Sequence, residues 1–279
     1  SYALDKNTTA NNNTAVGYRA ARTNTTGTEN TAVGADAMAK NTTGQRNTAV
    51  GYYAMEANTT GVYNDGIGAY ALGKNTTGDE NSAHGYSALW NNTTGSYNTA
   101  VGHNALYTNS TANNNTSVGW HAMYANTTGT ENTSVGASSL KSNTTGNYNN
   151  AQGHKALELN TTGSSNTAMG DFSLRQNTTA SNNTAFGAST LTANTTGANN
   201  VAIGDQALET NITGGDNTAV GQGALELNTA SNNTAVGKNA LTACTTASGM
   251  TAVGKNALGS ITTATNCVAV GENAGDAKS

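Results

Sequence analysis

Glycine returns every seventeenth residue, at Gly17, Gly34, Gly51, Gly68, Gly85 and so on to Gly221, and after one sixteen-residue step at Gly237, Gly254 and Gly271. The text around each is close to Asn-Thr-Ala-Val-Gly-x-x-Ala-Leu-x-x-Asn-Thr-Thr-Gly-x-x. A fixed short period describes one structural unit stacked on itself, and so an elongated body. Seventeen residues cannot hold a helical hairpin, since helical repeats need about thirty-three or more. Asn, Thr and Gly are poor helix formers, whereas Thr and Val favour strands.

Each unit has two strand-like pieces, Asn-Thr-Ala-Val and Ala-Leu-x-x-Asn-Thr-Thr, punctuated by glycine. The expected fold class is all-β: a parallel β-solenoid of about sixteen 17-residue coils spaced ~4.8 Å apart, a rod on the order of 75 Å long. The whole chain, 1–279, is expected to form one repetitive domain, with a decaying coil over 272–279. A coil of thirty-four residues, made from two seventeens, is the other option. The chain begins at Ser1 in mid-repeat, which suggests a piece of a longer fibre.

Composition narrows the function classes. Charged residues are only 10% and hydrophobic residues 35%, a balance that without order would read as disorder. Sixteen returns of small and apolar residues to the same phase argue against that. The net charge is −4 with no basic stripe, so no nucleic-acid partner is expected, and no apolar run suits membrane insertion.

The phases separate inside from outside. Four residues past the glycine stands Leu or Met in most coils, from Met38 and Met55 through Leu72, Leu89 and Leu106 onward. Two before the glycine the residue is small, as in Ala32, Ala49, Gly66 and Ala83. Such narrow size limits belong to packed positions. Asn recurs seven after the glycine (Asn24, Asn41, Asn58, Asn75, Asn92) and four before it (Asn13, Asn30, Asn47, Asn64, Asn81). Stacked amides can bond along the rod. In the last coils these phases become Cys244, Met250, Ile261 and Cys267, so the ladders are expected to face inward and both cysteines to be small packed residues outside any disulfide. Inward Asn would also close the many Asn-Thr-Thr acceptors to N-glycosylation.

The residue just before the glycine forms a candidate oligomer-axis ladder: Val16, Val33, Val50, Ile67, His84, Val101 and, later, Gln152. If Ala beside it faces inward, strand alternation turns Val outward, where a second and third copy would cover it and His84 and Gln152 would make polar layers. The alternative puts Val inside its own coil. The residue just after the glycine alternates bulky and small: Tyr18, Ala35, Tyr52, Ala69, Tyr86, His103, Trp120, Ala137. Tyr18, Tyr52, Tyr86, Trp90, Trp120 and Tyr124 are the candidate contact surface, for a sugar or a partner protein. Crowding between coils would produce the same alternation with no function.

Thr99-Ala100-Val101-Gly102-His103-Asn104-Ala105-Leu106 resembles the head repeats of YadA-type trimeric autotransporter adhesins and the repeats of phage tail fibres and bacterial surface fibres. The resemblance implies a left-handed β-roll, a homotrimer, and an extracellular place on a virion or bacterial surface with a glycan or protein receptor. No cofactor, metal or catalytic group is expected. His84, His103, His121 and His154 lack metal-ligand spacing, and Glu29, Glu80 and Glu131 share a phase three coils apart, ~14 Å, too far for a carboxylate pair.

Two functions follow. The first is a structural fibre shaft or adhesin, not an enzyme, working by rigid extension and multivalent contact. The second is ice- or lattice-binding through the row Thr14, Thr31, Thr48, Thr99, Thr116 and Thr133 beside the valines, interrupted by Asp65, Asn150, Val201 and Val268.

Overall fold

One three-residue strand per coil carries the sheet. The computed structural model describes residues 2–276. Ser1, and residues 277–279 of the expected decaying coil, lie outside the described residues. Two compact units, Ser1–Thr145 and Gly146–Ser279, each hold eight strands. The first contains β1 (Thr14–Val16) to β8 (Thr133–Val135), including β4 (Asp65–Ile67) and β5 (Ser82–His84). The second contains β9 (Asn150–Gln152) to β16 (Val268–Val270). Within each unit consecutive strands pair in parallel with the repeat in register, Thr14 to Thr31 and Val16 to Val33 in the first, Thr167 to Thr184 in the second. The architecture in both is a β-solenoid of 17-residue coils.

The glycine beat has two causes. These glycines hold φ between 123° and 143°, where an L side chain is strained. Coils also touch there: a Cβ on Gly102 would lie 2.6 Å from the Gly119 carbonyl oxygen.

The second expected strand, Ala-Leu-x-x-Asn-Thr-Thr, is not one. Its backbone still bonds coil to coil, as Leu72 N–H to Ala88 O at 3.0 Å and Lys74 N–H to Trp90 O at 3.1 Å. However, Tyr70 (φ 64°) and Leu72 (φ 50°) are left-handed, and Asn75 N–H turns back to Leu72 O at 3.0 Å. The segment curls to close a short coil around one large side chain, and an extended strand would carry the chain past that side chain. Leucine gains little from a left-handed backbone, so the coil above and below must hold it there.

The core is as thin as the phases imply. Met38, Met55, Leu72, Leu89 and Leu106 are fully buried, flanked by buried Ala32, Ala49, Ala83 and Ala100. One large apolar side chain per coil cannot order seventeen residues alone, so a coil depends on its neighbours.

The asparagine ladders supply the rest. Asn58 Nδ2 donates to Asn41 Oδ1 at 2.9 Å and to Gly61 O at 3.1 Å, and Asn75 repeats this one coil on. In the other ladder the Asn64 backbone N–H donates to Asn47 Oδ1 at 2.9 Å, while Asn64 Nδ2 donates to Gly78 O at 2.8 Å. Asn41, Asn58, Asn75 and Asn92 are buried, so their Asn-Thr-Thr acceptors are shut inside the coil. The second unit has the same ladder, as Asn177 Nδ2 to Asn160 Oδ1 at 2.8 Å.

The sixteen-residue coil loses its residue from the Thr-Thr-Gly loop. Asn228 Nδ2 reaches Ala230 O, two residues on, where Asn211 reaches Gly214 O, three on. The strands keep their register, Thr218 against Thr234. Both cysteines are free thiols: Cys244 is buried as expected, whereas Cys267, in the last coils, is only half-buried.

Candidate functional site

Two outward surfaces carry the candidate residues once the coil has closed on its Leu and Asn rows. The strand face comes first. Ala32, Ala83 and Ala100 are fully buried, while Val16, Ile67 and Val101 are 59%, 40% and 36% exposed. Valine therefore points out of its own coil, and the alternative placement inside does not hold. Val16, Val33, Val50, Ile67, His84 and Val101 align strand to strand in the first unit. Gln152 holds the same position in the second, paired with Met169.

The two polar members of this ladder have polar partners in the threonine row. His84 Nε2 lies 3.0 Å from Asp65 Oδ2, across two strands. Gln152 Nε2 donates to Asn150 Oδ1 at 3.1 Å. Asp65 and Asn150 are two of the interruptions of the Thr row. The signal was thus in the sequence: a polar departure in the valine row accompanies one in the threonine row. The diagonal pairing of Asp65 with His84, nineteen residues apart, needed the strand register to be seen. Beside this pair a shallow groove of about 480 Å³ opens, lined by Tyr63, Asp65, Glu80, Asn81 and Ser82.

The second surface is aromatic and lies in the first unit. Tyr18, Tyr52, Tyr86 and Trp120 are each about half exposed, at 55%, 49%, 51% and 53%. From the next residue along, Tyr70 fills the coil where Ala69 is small, and Tyr53 and His121 add a second ring beside Tyr52 and Trp120. Tyr52 meets Tyr53 and Tyr70 at centroid distances of 4.4 and 5.5 Å, and Tyr70 meets Tyr86 at 5.8 Å. Tyr86 stacks on His103 at 5.2 Å, His103 on His121 at 5.8 Å, and His121 on Trp120 at 3.8 Å. Trp90 joins through Tyr70 at 5.2 Å, and Tyr124 through His121 at 5.1 Å. Tyr107 stacks on Tyr124 at 5.1 Å with planes 2° apart.

Ten rings thus form one connected row that includes five of the six candidate contact residues. Tyr18 stands apart, with Tyr2 at 6.2 Å and the Arg19 guanidinium at 5.8 Å. Rings on adjacent coils pack both face to face, as Tyr86 on His103 and Tyr107 on Tyr124, and edge to face, as Tyr52 with Tyr70 and Tyr70 with Tyr86.

Local structure makes room for this row at a cost. Tyr53, Tyr70 and His121 sit at left-handed positions, a phase where other coils carry Asn104, Asn239 and Asn256 and one coil of the second unit carries Phe172. Asparagine tolerates that backbone better than an aromatic residue does. Trp90 lies over Gly73, in space that any side chain there would fill. Lys74 Nζ stands 5.5 Å from the Trp90 ring centroid. Removal from water, with the neighbouring Tyr53 hydroxyl, pushes the Tyr52 phenol up. Burial, then the charges of His103 and Lys141, lowers the His121 imidazole.

Among the described residues no group of three His, Cys, Asp or Glu side chains is placed to hold a metal ion. No protein-family model matches the chain, and no curated protein matches it significantly.

Proposed function

We propose that this chain is a segment of a surface fibre or adhesin, acting by rigid extension and repeated weak contact. The observation that carries this reading is the ten-ring row of the first unit. Coils of the second unit close the same way with Lys238-Asn239 or Lys255-Asn256 at these phases, so the fold has no need of rings. Aromatic faces and edges are good contacts for sugars and for proteins, and rings repeated along a stiff body gain avidity from each other. Replacing Tyr52, Tyr86 and Trp120 together by Ala should abolish retention on immobilised cell-surface glycans and proteins while leaving circular dichroism unchanged. Undiminished retention would sink the reading.

The valine ladder supports self-association, with three copies about a common axis. An outward apolar row along a whole sheet face is a liability for a single chain in water. Light scattering should give three times the monomer mass, and Val50→Lys with Val101→Lys should return it to one. A compact monomer from the unmodified chain would remove this part of the proposal.

A second reading has its own observation. Thr14, Thr31 and Thr48 stack in register beside Val16, Val33 and Val50, a regular array of hydroxyl and methyl groups. Such an array could match an ice lattice. The Asp65–His84 pair and the half-exposed Phe186 ring interrupt it, which favours the fibre. Thermal hysteresis in solution would reverse that preference.

A further inference from the structure

A different row, twelve residues past each glycine, runs Glu29, Arg46, Tyr63, Glu80, Tyr97 along successive coils of the first unit. Arg46 is sandwiched by its neighbours. Its Nε donates to Glu29 Oε2 at 2.8 Å, and its guanidinium lies over the Tyr63 ring, 5.3 Å from the centroid, and bonds the Tyr63 hydroxyl. Carboxylate, cation and ring therefore stack on three coils. One coil further stands Glu80, directly after Tyr63 and with its own backbone N–H bonded to Val62 O at 3.0 Å. The groove is lined by both side chains.

The residues around the groove leave the repeat together. Asp65 and Ser82 replace threonine, Gly66 replaces alanine and His84 replaces valine, all within β4 and β5. Other coils pack the same backbone without these changes. Asp65 is held by His84, and among the described residues no lysine or arginine pairs with Asp65 or Glu80. The groove thus has an aromatic wall and two carboxylates, one already bonded to the His84 imidazole and neither paired with a lysine or arginine among the described residues.

We propose that this groove binds a guanidinium group, that of an arginine side chain on a partner protein. Its plane would lie on the free side of Tyr63 with its N–H groups toward Glu80 and Asp65. Arg46 already makes the guanidinium-over-ring contact on the other side of the same ring. The groove opens on the threonine side of the strands, beside the valine row, and the inference does not depend on the fibre reading.

The test titrates N-acetyl-arginine amide into the full-length chain and follows the backbone amide resonances of residues 80 to 84. N-acetyl-citrulline amide, of the same shape but uncharged, is the control. Saturable shifts in the millimolar range are expected with the arginine compound only, weakened by half-molar salt. Glu80→Gln, an exposed change that spares the fold, should weaken binding about five-fold, and Tyr63→Leu at least as much. The ring-row variant at Tyr52, Tyr86 and Trp120 should bind as before, which separates this site from the fibre contact. An equal response to citrulline, no loss in Glu80→Gln, or saturation of the same resonances by methyl glucoside would overturn the proposal.

Discussion

Asn92→Ala tests what holds the coils together. Asn92 is fully buried. Its Nδ2 donates to Asn75 Oδ1 and to Gly95 O, both at 2.8 Å, and its Oδ1 accepts from Asn109 Nδ2 at 2.9 Å. The loss is not three stranded groups. Gly95 O keeps a bond from Asn81 Nδ2 at 2.9 Å, and Asn109 Nδ2 keeps its bond to Ala112 O at 3.1 Å. Asn75 Oδ1 and one Asn109 N–H are left without partners in a dry interior. Stranding a buried polar group costs about 1–3 kcal/mol, so the expected destabilisation is about 4 kcal/mol, falling to about 2 if a water enters the space.

A repeat array need not unfold in one step, so the urea midpoint alone is a poor measure. Native-state hydrogen exchange at the coils of Asn75, Asn92 and Asn109 reads the effect locally. Asn92→Asp keeps the shape but loses both donors. Burial should hold its carboxyl above the ordinary aspartate value, so its extra cost is present at neutral pH and disappears as acid protonates it. Protection that changes by less than 1 kcal/mol in Asn92→Ala would show that the ladder merely fills space.

Gly73→Ala should expel the Trp90 ring from its seat and red-shift tryptophan emission, measured in a Trp120→Phe background so that one indole reports. Cys244, whose thiol is raised by burial, should resist N-ethylmaleimide at pH 8 while Cys267 reacts, a difference of one adduct by mass spectrometry in native buffer that vanishes in urea. His121 is held below the ordinary histidine value of about 6.5, so the unfolded chain takes up its proton first. Stability should therefore fall as pH drops below ~6.5, and His121→Gln should flatten that part of the urea-midpoint profile.

The parts legible in the sequence were those that every coil repeats. Register followed from the period, burial of Leu72 and Ala83 from the constancy of their phases, and the inward Asn ladders from apolar replacements such as Cys244. Closure of the coil was not legible. Propensity reads Ala-Leu-x-x-Asn-Thr-Thr as extended, and the left-handed turn at Leu72 is imposed by stacking with no local signal. The ring row was half legible. Tyr52 and Tyr86 share one phase and were found, whereas Tyr53, Tyr70 and His121 continue the row from the next phase and look unrelated on a fixed grid.

That difference bears on where function is to be sought in a repeat protein. A residue that conforms to its phase is explained by the coil, because neighbouring coils use it for the same packing. A departure has no such explanation, and two departures in contact are more informative than either alone. Asp65 and His84 were each visible as an interruption of a row, but only the parallel register brings them to 3.0 Å. Gly73 is uninformative until Trp90 is seen lying over it. Both pairs fall in the first unit, Asp65 on the wall of the groove and Trp90 in the ring row, while most of the second unit closes its coils with the common residues. The period therefore explains the scaffold, and paired exceptions to it mark the surface on which substitutions should change binding before they change stability.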